Sequence, residues 1–135
     1  MRDRVKTLKR ILDVQKHLHS LEELKYVRLK QAVDRCREEQ EAMAAALSGE
    51  GALHGLFTDV TVRRLKSLRQ EESRLAPALE AQARVVLEHG GRLRNSERLA
   101  LEIGIEARRE EERRELEQLL EAGLAQASAS SEQDR

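Results

Sequence analysis

The sequence predicts an all-α protein, a long antiparallel two-helix coiled-coil hairpin with unequal arms. Three observations carry that expectation. A heptad frame runs unbroken through residues 65–107, three glycines (Gly49, Gly51, Gly55) separate it from a second apolar stripe, and only Tyr26 and Phe57 among 135 residues are aromatic. A stripe repeating every 3.5 residues is too narrow for a globular core but suits one helix wound on another. Aromatic side chains supply the largest buried areas of compact cores, so their scarcity points the same way.

The first arm is expected over about residues 2–47. Its apolar steps read Ile11, Val14, Leu18, Leu21, Lys25, Leu29, Val33, Cys36, Gln40, Met43 and Leu47, nine of the eleven apolar. Between Leu21 and Val33 the spacing is four, four, four, which reads as a stutter that locally unwinds the supercoil. Three glycines in seven residues then mark a hinge over residues 49–57, with Thr58 or Asp59 placed to cap a new helix. A short connection favours antiparallel neighbours.

The second arm is expected over about residues 58–124. Its seam is Leu65, Leu68, Glu72, Leu75, Leu79, Gln82, Val86, His89, Leu93, Ser96, Ala100, Ile103 and Ala107, nine of thirteen apolar. At ~1.5 Å per residue the arms would be about 70 Å and 100 Å long. Folding back places residue 2 near residue 103, leaving residues 104–124 as an amphipathic overhang, a candidate docking surface. Pro77 interrupts this arm at a cost of ~3 kcal/mol and falls opposite the stutter. Gly90-Gly91 is a competent helix stop, and a break there would give the alternative fold, a three-helix bundle. The frame keeps phase across the pair, which favours a continuous, softened helix. One domain, residues 1–124, is expected, and residues 125–135, with three serines and no seam, read as a disordered tail.

Charge supports the antiparallel arrangement. Residues 1–10 hold Arg2, Arg4, Lys6, Lys9 and Arg10 against Asp3, whereas residues 106–121 hold seven Glu against four Arg. Such exposed pairs bias orientation more than they stabilise, at ~0–1 kcal/mol each. Over the whole chain 25 basic residues balance 25 acidic ones, so no general field draws nucleic acid or anionic lipid. The longest apolar run, residues 42–47, is far short of the roughly 20 residues of a membrane span. The basic start meets Asp13 straight after Ile11 and Leu12, unlike a signal peptide. With lone Cys36 this predicts a soluble chain of the reducing cytoplasm.

The residue types that carry chemistry are not grouped for it. His17 and His19 point in nearly opposite directions on a helix, His54 and His89 lack ligand partners at metal spacing, and Cys36 sits in the apolar stripe as a small core residue. Gly49, Gly51 and Gly55 lack the Lys and Ser/Thr of a phosphate loop. No catalytic residues, metal, cofactor or small-molecule substrate are therefore expected, and the chain does not read as an enzyme. Polar seam residues (Lys25, Gln40, Glu72, Gln82, His89, Ser96) serve either to fix register or to keep the hairpin weakly held.

The opening Leu8-x-x-Ile11-Leu12-x-Val14-Gln15-Lys16, the stretch Asn95-Ser96-Glu97-Arg98-Leu99, and the run from Arg108-Arg109 through Glu110, Glu111, Glu112, Arg113, Arg114 and Glu115 to Leu116 resemble the FliJ-like proteins. These are coiled-coil stalk components of flagellar and related type III secretion systems. The resemblance covers most of residues 1–122, with Pro77 and Gly90-Gly91 as departures. It implies a cytoplasmic protein recruited to the inner membrane face, contacting the export ATPase, the export gate or export chaperones. Clustered arginines beside apolar residues nominate Leu8, Ile11, Leu12, Glu97, Arg98, Leu99, Arg108 and Arg109 as partner-binding residues. Two other functions compete. One is a generic scaffold dimerising through the seams. The other is a nucleic-acid-binding coiled coil using the basic start, disfavoured by the balanced charge.

Overall fold

The computed structural model describes residues 2–49 and 55–133, which form two helices, α1 (Arg2–Ser48) and α2 (Gly55–Gln133), packed antiparallel as a hairpin. Helix α2 passes through Pro77 and through Gly90-Gly91 without interruption, so the three-helix alternative does not hold. Pro77 is exposed. Its missing N–H leaves the carbonyl of Ser73, one turn earlier, open to water rather than orphaned in the seam. The expected capping residues Thr58 and Asp59 lie within α2, because the helix begins at Gly55. The central hinge residues 50–54, and His54 with them, lie outside the described residues.

Burial along α2 follows the predicted frame throughout. Every one of the thirteen seam residues from Leu65 to Ala107 is buried or half-buried, and the frame extends to Thr58 and Thr61 on one side and Glu110 on the other. With Leu65 taken as a in a heptad abcdefg, the a positions run from Thr58 to Ala107 and the d positions from Thr61 to Glu110.

Burial along α1 corrects the sequence reading. From Leu29 onward the expected seam holds, but Ile11, Val14, Leu18, Leu21 and Lys25 are exposed. The residues turned inward are Val5, Leu8, Leu12, Gln15, His19, Glu22, Tyr26 and Leu29. Their steps alternate three and four without exception, so α1 has no stutter. Its a positions are Val5, Leu12, His19, Tyr26 and Val33, and its d positions Leu8, Gln15, Glu22, Leu29 and Cys36. The reason is pairing: an unbroken frame on α2 requires an unbroken frame on α1, even where that turns Gln15, His19 and Glu22 inward.

The chain divides into two compact units, Gln15–Arg92 and Met1–Val14 with Leu93–Arg135. The first contains the tightest packing, with Val33, Cys36, Leu68 and Thr61 buried and the Thr61 hydroxyl donating to the Phe57 carbonyl at 2.7 Å. Burial pushes the Cys36 thiol above its ordinary pKa, with Glu71 adding to the shift, so the cysteine is held as a protonated core residue. In the second unit half-burial on α2 continues to Glu110, and Arg2 pairs with Glu111 at 3.6 Å. The overhang thus begins at residue 111 rather than 104. Helical structure then continues to Gln133, where a disordered tail is expected, with every residue of 111–133 exposed. Alanines at 122, 125, 127 and 129 give this stretch high helix propensity.

Candidate partner-binding surface

The two edges of the seam are defined by ion pairs. Glu39 and Arg64, both g residues, meet at 2.8 Å, and Arg2 and Glu111, both e residues, meet at 3.6 Å. A g-to-g and an e-to-e pair are what an antiparallel coiled coil produces, since each edge is shared by like positions.

Two carboxylates of the seam, Glu22 and Glu72, are matched by donors from the opposite helix. In the Gln15–Arg92 unit, Gln82 Nε2 donates to Glu22 Oε2 at 2.6 Å and to the Glu22 carbonyl at 2.9 Å. Glu72 accepts from Arg37 Nε at 2.8 Å and from Gln40 Nε2 at 2.7 Å. The Gln82 hydrogen bond, followed by that from Lys25, holds the Glu22 carboxyl below its ordinary pKa, and Arg37 then Gln40 do the same for Glu72. Beside Glu22, His19 Nε2 reaches Glu23 at 2.7 Å, while its Nδ1 and Gln15 Oε1 are buried without a hydrogen-bond partner. These seam contacts are structural and specify register.

All eight sequence-nominated residues fall in one unit, Met1–Val14 with Leu93–Arg135. They do not share one surface. Leu8 and Leu12 are half-buried d and a residues that hold α1 on α2. Ile11 and Leu99 are exposed g residues, at 45% and 48%, and so line the same edge, flanked by Arg4 and Glu106 at the next g positions. Glu97 lies on the opposite, e edge. Arg98, Arg108 and Arg109 are exposed on the outer side of α2, with the Arg98 guanidinium donating to Asn95 Oδ1 at 2.8 Å. Where α1 begins, Val5, Gly104 and Ala107 line an open notch rimmed by Arg2, Lys6 and Glu111.

Further exposed apolar residues of this unit are Val14, which the sequence reading placed in the α1 seam, Leu101, and Ile105, Leu116, Leu119, Leu120 and Leu124, which fall in the stretch 104–124 that it offered as a docking surface without singling them out. Five of those on α2 depart from its frame, a signal the sequence does carry: Leu101 is b, Ile105 f, Leu116 c, Leu119 f and Leu120 g, whereas Leu124 falls on d. Apolar residues off the seam of a coiled coil have no intrachain partner to explain them.

Among the described residues no cluster of three or more His, Cys, Asp or Glu could hold a metal, and no helix is long and apolar enough to cross a membrane. Comparison of the chain with family models, with curated proteins and with solved structures finds no match.

Proposed function

We propose that this chain is a coiled-coil stalk or escort component of a flagellar or type III protein export apparatus, acting by contact with other proteins rather than by catalysis. Its partners in this reading are an export ATPase, the export gate or export chaperones, met in the cytoplasm or at the inner membrane face. The observation that carries the reading is the gathering of all eight nominated residues in one unit. There Ile11 and Leu99 stand exposed on a single edge, with Arg98, Arg108 and Arg109 on the neighbouring outer side. Arginine is enriched among the few residues that carry most of an interface's energy, and exposed apolar side chains beside it supply area to bury. The resemblance of residues 8–16 and 95–116 to the FliJ-like proteins supplies the identity of the partners.

The reading is tested by replacing Arg98 and Leu99 together with alanine in the organism that carries the protein. Loss of motility or export, with helicity intact by circular dichroism and co-purification with an export ATPase abolished, is the expected result. Full motility and no ATPase in the purified material would overturn it.

A further inference from the structure

We propose that residues 111–133 of α2 pair antiparallel with the same residues of a second copy, about an axis between Glu121 and Ala122. The proposal stands apart from the export reading, because it concerns a different stretch of α2 and is tested by mass rather than by export.

Helix α1 begins at Arg2, beside Glu111, and beyond that point α2 has no neighbour among the described residues. Yet Leu116, Leu119, Leu120 and Leu124 are 58%, 70%, 60% and 72% exposed. Leu116, Leu119 and Leu120 lie toward one side of the helix, about a third of a turn from the face that holds α1, since residues advance about 100° each, whereas Leu124 lies on that face. On the α1-binding face the frame continues through Arg114, Glu117, Glu121 and Leu124, three of the four charged. The overhang therefore does not simply prolong the intramolecular seam; it carries a second apolar stripe directed elsewhere. Most of a helix's stability in a protein comes from covering its apolar face rather than from propensity, and here that face is bare.

Charge placement selects the partner and its direction. Residues 111–121 contain Glu111, Glu112, Glu115, Glu117 and Glu121 against Arg113 and Arg114, while residues 122–131 contain no charged residue at all. Parallel pairing would stack the acidic halves on each other, which is destabilising. Antiparallel pairing lays the charged half of each copy along the uncharged half of the other.

Shape agrees with the same alignment. The positions Arg113, Leu116, Leu120, Gly123 and Ala127 alternate steps of three and four, the spacing of a coiled-coil seam. About the proposed axis Leu116 faces Ala127 of the second copy and Leu120 faces its Gly123. Large residues thus meet small ones, which lets two helices interdigitate closely. A Cβ added at Gly123 would meet nothing within 4 Å, so the space over this glycine is open to an incoming leucine.

The test uses the full chain. Sedimentation equilibrium over a wide concentration range is expected to show twice the single-chain mass. Leu120→Glu is expected to halve that mass with helicity retained, and Leu87→Glu, an exposed leucine of the other unit, to leave it unchanged. Orientation is read by mixing two proteins that also carry Cys36→Ala, one with Leu120→Cys and one with Gly123→Cys. Oxidation should give mainly the mixed disulfide. A single-chain mass at every concentration, a dimer that survives Leu120→Glu, or a predominance of Leu120→Cys homodisulfides would each overturn the proposal.

Discussion

Gln82 reaches across the seam to Glu22, donating both to its carboxylate at 2.6 Å and to its backbone carbonyl at 2.9 Å. The two residues are d positions on opposite helices, and this paired contact explains why a carboxylate occupies a seam that apolar residues would fill more simply. A buried polar pair penalises every other alignment, because a slip leaves both groups without partners.

The lowered pKa values of Glu22 and Glu72 give a pH dependence of defined sign. A carboxyl that binds protons less readily in the folded chain contributes stability above the unfolded value, about 4.3 for Glu. That contribution is lost as pH falls through the lower folded value. Thermal unfolding followed by circular dichroism should therefore show a midpoint that declines below about pH 4.3. The decline should be shallower in the Glu22→Gln, Glu72→Gln double variant; an unchanged slope would remove these two groups as its source.

The phase of α1 is open to direct measurement. Leu12→Ala should destabilise the hairpin by about 1–3 kcal/mol, as a partly buried large-to-small change. Ile11→Ala, one residue away but exposed, should stay within about 0.5 kcal/mol of the parent. Urea denaturation of the two variants compares them, and the reverse order would restore the stuttered frame.

Leu68 is 1% exposed and, with Val33, is the largest fully buried side chain. Leu68→Ala should cost about 2–5 kcal/mol, more than the same change at any exposed leucine of α2. The comparison with Leu87→Ala by chemical denaturation checks that ranking.

Two helix-weakening residues are dispensable for packing. A Cβ at Gly91 meets nothing within 4 Å, and Pro77 is exposed. Gly91→Ala should stabilise by about 1 kcal/mol and Pro77→Ala by up to about 3 kcal/mol. Both should raise the thermal midpoint, and a fall on Gly91→Ala would mean that the glycine conformation itself is required.

Much of the fold was legible because its causes are local. The Leu65-to-Ala107 frame places a continuous apolar stripe on α2, and the glycines at 49, 51 and 55 mark the place of the reversal. The candidate surface was legible only in part. Ile11 and Leu99 share an exposed edge, but Leu8 and Leu12 belong to the seam, and the overhang that carries the leucines at 116, 119, 120 and 124, expected from residue 104, begins only at 111.

By itself the sequence determined that the chain is helical, that it reverses near the glycines at 49, 51 and 55, and which face of α2 is greasy over residues 65–107, since each follows from propensity and spacing within a single segment; that α2 runs on through Gly90-Gly91 was decided by the structure. Only the tertiary structure decided which face of α1 is buried. That helix offers two stripes, Ile11, Val14, Leu18 and Leu21 against Leu8, Leu12, Gln15, His19 and Glu22, and counting apolar residues favours the wrong one. Burial belongs to a pair of helices rather than to either alone, so the polar stripe wins where Gln82 meets Glu22 and the partner frame admits no change of phase.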